Sequence, residues 1–249
     1  MIQITDLTKS YGKNTIIENI NLRINDGQVY CLLGKNGAGK TTLINCILDL
    51  IKPEKGNIQL SGKAHNKLTR EDKRKIGVIV ENLALLEEIN GFEFLSFVGK
   101  IYKIPPATLK QRITDLFAFF FEDDSDLKKN ISKYSSGMKK KIAFCAAVLH
   151  TPDVLILDEP FSGLDPLVAN QMVLFLKKYQ NGKRLIFISS HDLSYVEKVS
   201  THIGVLDNKK LVFNSSIQDF TENGVKKLDA ALLRIIKPNE SNLDKIDWV

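Results

Sequence analysis

Eight consecutive residues near the N-terminus have the types and spacing of a phosphate-binding loop. Gly34 to Thr41 fit the pattern G-x-x-x-x-G-K-[ST]. Glycines let backbone N–H groups turn inward on an anion, and a helix that begins directly after them adds the partial positive charge of its N-terminus. Lys40 would reach the β- and γ-phosphates of a nucleoside triphosphate, and the Thr41 hydroxyl would bind Mg²⁺. The residues predicted to bind the nucleotide are Gly34, Lys35, Asn36, Gly37, Ala38, Gly39, Lys40, Thr41 and Thr42.

Two carboxylates that could take part in catalysis follow an apolar run later in the chain. Residues 155–157 lead directly into Asp158 and Glu159. A carboxylate at the tip of a parallel strand beside a phosphate loop can hold Mg²⁺ through water, and we assign this role to Asp158. Glu159 can face the γ-phosphate, where it would orient the attacking water or accept its proton. The alternative for this pair is a strand-end turn with two solvated acids.

The segments around these residues predict an α/β fold. An apolar, strand-like stretch at 28–33 precedes the loop, and 42–48 has helical apolar spacing. Short continuous apolar runs at 76–80, 154–157 and 185–188 are typical of buried parallel strands. Residues 92–121 have helical apolar periodicity. We therefore predict one domain, with a nucleotide-binding core at 1–82 and 151–215, a mostly helical subdomain at 83–150, and a C-terminal appendage at 216–249.

Composition limits the possible locations of the chain. Hydrophobic residues make up 43% of the 249 positions, which is enough for a substantial core. No apolar run approaches the roughly 20 residues of a membrane span, and residues 1–6 lack the pattern of a signal peptide. Cys31, Cys46 and Cys145 lack metal-ligand spacing, and the first two fall in apolar stretches typical of a core. These features predict a cytoplasmic protein.

The net charge of +6 comes from 35 basic and 29 acidic residues. Basic residues cluster at 63–75, 128–129 and 139–141, and such runs are typical of solvated faces. An anionic membrane surface or nucleic acid are the alternatives. Nucleic acid ranks lower because aromatic residues that could stack on bases are not interleaved with these runs.

The motifs and their order resemble those of the ATP-binding subunits of ABC transporters over about residues 2 to 215. The phosphate loop matches the family's Walker A motif. The other matching segments are Leu155–Glu159 for Walker B, Ser162–Asp165 for the D-loop, Ser189–Asp192 for the switch-histidine segment, and Tyr134–Met138 for the signature motif. The resemblance implies a P-loop NTPase (RecA-like) core with an N-terminal antiparallel β subdomain and an inserted α-helical subdomain. It also implies ATP and Mg²⁺ as cofactors.

The resemblance assigns further roles residue by residue. Tyr11, which stands 23 residues before Gly34 (34 − 11), matches the aromatic residue that stacks on adenine. His191 would bridge the γ-phosphate, the attacking water and the opposite subunit. Ser135 and the Gly137 N–H, at a predicted helix N-terminus, would bind the γ-phosphate on the partner subunit. Two subunits would therefore close around two ATP molecules.

The chain departs from the family pattern in two places. In the signature segment Tyr134 replaces Leu, Ser136 replaces the first Gly and Met138 replaces Gln, a form that resembles ABC-2-type exporters, including those conferring bacitracin or lantibiotic resistance. The glutamine of the Q-loop is replaced by Glu81. We predict that Glu81 binds Mg²⁺, senses Mg²⁺·ATP and links the core to the helical insert.

Four phenylalanines in the insert allow two interpretations. They either pack in the core or line a docking groove for a cytoplasmic helix of a membrane partner, since three adjacent aromatic side chains are not expected to face one core. The four are Phe117, Phe119, Phe120 and Phe121.

The function that these features favour is ATP hydrolysis by a transporter subunit that needs a separate integral-membrane permease. Two ATPase subunits, identical or different, would work with the permease at the inner face of the cell membrane, and export is favoured over import. The alternative is a soluble ABC ATPase that acts on nucleic acid or the ribosome. The short insert and single domain disfavour this alternative, so no nucleic-acid partner is expected. A P-loop kinase or GTPase is disfavoured because Asn-Lys-x-Asp is absent from the sequence.

Overall fold

The strands of this chain form two separate sheets. A computed structural model describes residues 1–80 and 85–236. The strands within these residues are β1 (Ile2–Tyr11), β2 (Asn14–Ile24), β3 (Val29–Leu33), β4 (Lys55–Leu60), β5 (Lys63–Ala64), β6 (Ile76–Ile79), β7 (Val154–Asp158), β8 (Leu185–Ser190), β9 (His202–Asp207) and β10 (Lys210–Ser216).

Helices alternate with these strands and fill the interval between β6 and β7. The α-helices are α1 (Lys40–Ile47), α2 (Arg70–Lys73), α3 (Gly91–Ile101), α4 (Pro106–Phe120), α5 (Ser136–Val148), α6 (Pro166–Tyr179), α7 (Leu193–Val199), α8 (Ile217–Phe220) and α9 (Leu228–Ile236). Short 3₁₀ helices lie at His65–Lys67, Asp124–Lys128 and Ile131–Lys133. Within 1–80 and 85–236, none of these helices has both the length and the apolar character to cross a membrane.

The two sheets differ in strand direction. The smaller one is antiparallel, with the order β2-β1-β4-β5. The larger one has the order β10-β9-β3-β8-β7-β6, in which all neighbours pair in parallel except the hairpin of β9 and β10. The observed fold confirms the predicted α/β class, and the three predicted parallel strands are β6, β7 and β8.

The parallel sheet is buried on both faces because its strands contribute alternate residues to two cores. In β3, Tyr30 and Leu32 face a core shared with α1 and the antiparallel sheet, while Cys31 and Leu33 face the core formed with the helices. Every residue of β3, β7 and β8 is buried. This is why these strands are continuous apolar runs rather than alternating ones. Cys46 is also buried, as predicted for Cys31 and Cys46, and Cys145 is buried as well.

The helical interval is divided by a pair of prolines. The helical periodicity of 92–121 is shared by α3 and α4, which are separated at Pro105 and Pro106. Proline lacks the N–H that would continue the earlier helix, but it fits the first turn of the next one. The assignment of 83–150 as a subdomain and of 216–249 as an appendage remains a prediction.

The phenylalanines of α4 pack mainly in the core. Phe117, Phe120 and Phe121 are buried, and Phe119 is 41% exposed. The three adjacent phenylalanines therefore do not all face one core, as expected, although Phe120 and Phe121 both do. The helix ends at Phe120, so Phe121 has extended backbone and its ring stacks on Phe117 at 3.9 Å between centroids.

Phe120 therefore joins three helices, since its ring lies 5.3 Å from that of Phe144 on α5 and 5.5 Å from that of Phe175 on α6. We expect Phe120→Ala to lower the free energy of unfolding by about 3–5 kcal/mol, through lost burial and the cavity left behind. Phe119→Ala is the matched control, and its loss should be half of that or less because the side chain is partly in water. Urea unfolding measures both, and equal losses would contradict this packing.

Candidate active site

The phosphate loop connects β3 to α1 and depends on glycine at its end. Gly39 has φ of 106°, in the left-handed region, and a Cβ there would lie 2.7 Å from Cγ2 of Ile17. Only glycine fits this combination of backbone and space. No side chain caps the N-terminus of α1, so its first-turn N–H groups are directed at the loop. Anion binding by these N–H groups remains a prediction.

The side chain of Lys40 is held by three polar contacts. It is buried, and its Nζ donates hydrogen bonds to the carbonyl oxygens of Gly34 at 2.8 Å and Lys35 at 3.3 Å. The third neighbour of Nζ is Oε1 of Glu159, at 3.2 Å. The ammonium group thus lies between the loop and the carboxylate at the end of β7.

Ser189 connects the two carboxylates at this edge of the sheet. Asp158 pairs with Ser189 in the parallel register, and the Ser189 hydroxyl donates to Asp158 Oδ1. The same hydroxyl accepts a hydrogen bond from the Glu159 N–H at 3.0 Å. Ser189 was not assigned a role from the sequence. The signal that could have found it is a hydroxyl directly after the apolar run 185–188.

Glu159 is held from both its backbone and its side chain. Its φ is 48°, an uncommon value for a residue other than glycine. The carboxylate is almost buried, and Oε2 lies 2.9 Å from Nδ1 of His191, whose ring is half exposed. Lys40, Glu159 and His191 therefore form one continuous chain of polar contacts.

One oxygen of this site is suited to a metal ion. Asp158 is buried, and its Oδ2 has no hydrogen-bond partner among residues 1–80 and 85–236. In the same part of the chain, no group of three or more His, Cys, Asp and Glu could hold a metal alone. Mg²⁺ commonly binds one or two carboxylates together with substrate phosphates and water. The residues present fit that arrangement, in which Asp158 and Thr41 would act with the triphosphate.

Tyr11 lies beside the loop rather than within it. It ends β1, pairs with Asn14, and is half exposed. Ile17, which packs against Gly39, lies three residues further along β2, or about 10 Å at the rise of a strand. The hairpin of β1 and β2 thus extends from the phosphate loop to an accessible aromatic ring, as stacking on a base requires.

Ser135 and Gly137 lie at a different surface, the N-terminus of α5. Ser135 is exposed, and its hydroxyl accepts a hydrogen bond from the Met138 N–H at 3.2 Å. No contact in the described residues joins these two residues to Lys40 or Glu159. Their predicted role toward a second subunit is thus compatible with their exposure and remains a prediction.

The tyrosine before this helix is part of the core. Tyr134 is buried, its hydroxyl donates to the Asp126 carbonyl at 2.6 Å, and burial raises its pKa to about 12. A Cβ on Gly91 would lie 2.5 Å from the Tyr134 hydroxyl oxygen. The replacement of leucine by tyrosine is accommodated by these two neighbours. Glu81, the other departure, lies outside the described residues, so its role stays a prediction.

The chain matches known families over most of its length. A model of the ABC transporter family matches residues 17–162. The bacitracin transport ATP-binding protein BcrA of Bacillus licheniformis is 37% identical over 213 residues, which are 85% of this chain and 68% of that protein. The linearmycin resistance ATP-binding protein LnrL of Bacillus subtilis (strain 168) is 33% identical over 212 residues, again 85% of this chain and 68% of that protein.

Two solved structures of ATP-binding proteins are similar to the structure of this chain. The structure of an ATP-binding subunit of an ABC transporter has a TM-score of 0.86 and 26% identity, and covers 94% of this chain and 99% of that one. A dimeric ATP-binding cassette in a post-hydrolysis state, bound to ADP and Pi, has a TM-score of 0.77 at 20% identity, covering 87% and 99%. At that identity the second structure supports the fold alone.

The Ser189 hydroxyl provides a test of this geometry. We expect Ser189→Ala to lower the rate of ATP hydrolysis by about 10- to 100-fold, because both carboxylate positions lose a hydrogen bond that fixes them. Nucleotide affinity, measured with a fluorescent ATP analogue, should change little. Ser190→Ala is the matched control, since Ser190 is equally buried but bonds to the Asp192 N–H instead. Equal losses in the two variants would contradict the role of Ser189.

Proposed function

This chain belongs to the ABC transporter family as an ATP-binding and ATP-hydrolysing subunit, and we propose that it drives a separate membrane permease in export. The single observation that supports the assignment of residues is the chain of contacts from Lys40 through Glu159 to His191. It joins the phosphate loop to the carboxylate at the end of β7.

Binding of the triphosphate would use charge and backbone dipoles. The N–H groups at the start of α1 and the Lys40 ammonium would face the β- and γ-phosphates. The Tyr11 ring would stack on adenine, an interaction worth about 1–3 kcal/mol. The Lys40 contacts support this proposal, because an ammonium group held by two loop carbonyls is fixed where the phosphates would lie.

Hydrolysis would use Glu159 as the group that acts on water. The water oxygen attacks the γ-phosphorus, the bond from that phosphorus to the β–γ bridging oxygen breaks, and the water proton passes to the Glu159 carboxylate. His191 would orient the carboxylate through Nδ1 and contact the γ-phosphate. Lys40 would stabilise the negative charge that develops on the phosphate oxygens.

Mg²⁺, when bound, would neutralise charge on the β- and γ-phosphates. Asp158 and Thr41 would hold it, and the unpartnered Asp158 Oδ2 supports this assignment. Ser189 keeps Asp158 Oδ1 occupied and so leaves Oδ2 as the oxygen available for the ion.

The catalytic unit would be a dimer. The N-terminus of α5 is exposed and carries the Ser135 hydroxyl and the Gly137 N–H. Among the described residues, these groups do not contact the phosphate loop of their own chain, so they would bind the phosphate of another subunit's nucleotide. A second ATPase subunit would place its γ-phosphate there, so each ATP would be bound by both subunits. ATP would close this dimer, and hydrolysis would open it.

An apolar groove supports the existence of a permease partner. Two cavities of about 370 and 410 Å³ share Val78 on β6, Val80 directly after it and Tyr102 at the end of α3. Within the described residues, β6 is the edge strand of the sheet. Leu50, which is 63% exposed, lines one cavity, and Ile101, which is 54% exposed, lines the other. We propose that a helix of the permease fills this groove and holds the subunit at the inner face of the membrane. The aromatic residues of α4 are the weaker candidate because Phe119 alone among them is exposed.

Export is the direction that the relatives favour. One is named for bacitracin transport and another for linearmycin resistance. Resistance by transport requires removal of a toxic compound from the cell or its membrane. We propose an antibiotic of that kind as the class of substrate, with selection made by the permease.

The dimer can be trapped by removing the group that acts on water. We expect Glu159→Gln to bind ATP but to hydrolyse it at least about 100-fold more slowly, so that Mg²⁺·ATP shifts it to twice its mass in size-exclusion chromatography with light scattering. Adding Ser135→Ala to this variant should weaken the shift. A double variant that dimerises as well as Glu159→Gln alone would contradict the role given to α5.

The groove can be tested with two leucines of equal exposure. A tagged Leu50→Asp variant should lose co-purification of a multi-span membrane protein from native membranes, because a charge in an apolar interface is costly. Leu174→Asp on α6, which is also 63% exposed, should retain the partner. Both should keep the ATPase activity of the isolated subunit. Retention of the partner by Leu50→Asp would exclude this groove as the docking site.

A further inference from the structure

One lysine joins the helix of the signature segment to the carboxylate side of the active site. Lys140 lies on α5, and its Nζ donates a hydrogen bond to the carbonyl oxygen of Ser162. Ser162 belongs to the segment between β7, which ends at Asp158, and α6. The contact therefore links two elements that are far apart in the sequence.

Ser162 is in turn hydrogen-bonded to Glu159. The Ser162 N–H donates a hydrogen bond to the Glu159 carbonyl at 3.3 Å, which closes a tight turn after the strand. Two hydrogen bonds in series thus connect the Lys140 ammonium to the Glu159 backbone. That backbone is in the left-handed region, where its conformation is maintained by its surroundings. Lys140, Asp158, Glu159 and Ser162 also line one small cavity of about 30 Å³.

The N-terminal turn of the same helix, next to Lys140, carries the groups proposed to face a second subunit. Lys140 follows Gly137 by three residues, or about 4.5 Å along the helix axis. Ser135 caps the helix through the Met138 N–H. A displacement of this first turn by a bound phosphate would therefore move Lys140 with it, because one hydrogen-bonded helix carries both.

The two neighbouring lysines have different contacts. Lys139 forms an ion pair with Glu87 at 2.7 Å, and the Lys141 ammonium lies 4.7 Å from the centre of the Phe121 ring. Both side chains thus contact the helical interval. Of this run of three, Lys140 alone is directed at the turn that follows β7.

We propose that Lys140 is a positioning residue that transmits the occupancy of the partner's ATP site to Glu159. A γ-phosphate bound by Ser135 and Gly137 fixes α5, Lys140 then fixes the Ser162 turn, and the turn fixes the carboxylate for attack by water. The inference rests on the dimer proposed above. Its consequence is that hydrolysis is cooperative in ATP, and that the cooperativity depends on Lys140.

The experiment compares steady-state ATP hydrolysis by the full chain and three variants over a range of ATP concentrations. Lys140→Met removes the donor and the charge, and Lys140→Arg keeps both. Lys139→Met is the matched control, which loses a partly exposed ion pair of small energetic value. Thermal unfolding and binding of a fluorescent ATP analogue establish that each variant is folded and binds nucleotide.

We expect Lys140→Met to lower kcat by about 10- to 100-fold. KM should stay within about twofold of the wild-type value, because the phosphate loop is untouched. The Hill coefficient should fall from above 1 to 1. Lys140→Arg and Lys139→Met should behave as the wild-type chain does.

Three results would overturn the inference while leaving the proposed function in place. They are an unchanged kcat and Hill coefficient in Lys140→Met, a raised KM at unchanged kcat, which would make Lys140 a direct nucleotide ligand, and an equal loss in Lys140→Arg or Lys139→Met. Absence of hydrolysis by the wild-type chain would instead remove the proposed function and the inference together.

Discussion

The parallel register of three buried strands determines where the groups of the active site lie. β3, β8 and β7 are neighbours, and at their carboxyl ends Leu33 pairs with Ser190 while Asp158 pairs with Ser189. Adjacent strands are about 4.8 Å apart, so three strand ends extend over about 10 Å. The phosphate loop, the two carboxylates and His191 each follow one of these strands within a few residues. They share one edge of the sheet because of the strand order, although about 150 residues separate the loop from the histidine.

The charged side chains at that edge are buried or almost buried, so each of them needs hydrogen-bond or ion-pair partners. A lysine ammonium taken out of water is costly unless it is paired and hydrogen-bonded. Lys40 meets this condition with two carbonyls and one carboxylate, and Asp158 meets it in part with the Ser189 hydroxyl. The same groups that stabilise the buried charges are those that nucleotide chemistry needs. The folding of this edge and its chemistry therefore depend on one set of hydrogen bonds, supported by apolar cores on both faces of the sheet.

Much of this could be predicted from the sequence, because the phosphate loop and the buried strands are local patterns. The two carboxylates and His191 follow apolar runs, so their common edge could be expected from the rules of parallel sheets. Contacts that depend on strand register or on the exact end of a helix could not be predicted from the sequence. Ser189 bridges the carboxylates only because it pairs with Asp158. The joint burial of Phe120 and Phe121 depends on where α4 ends, and the pairing of Lys40 with Glu159 depends on side-chain geometry across two strands.

The buried tyrosine before α5 has a consequence for how this family varies. The Tyr134 hydroxyl needs both an acceptor, the Asp126 carbonyl, and the space that Gly91 leaves open. A leucine at the same position needs neither of these. Positions 91 and 134 should therefore covary among related chains: side chains larger than glycine at 91 should occur with leucine at 134, and tyrosine at 134 should occur with glycine at 91. A change at position 134 of the signature segment is thus expected together with a change at position 91, the first residue of α3.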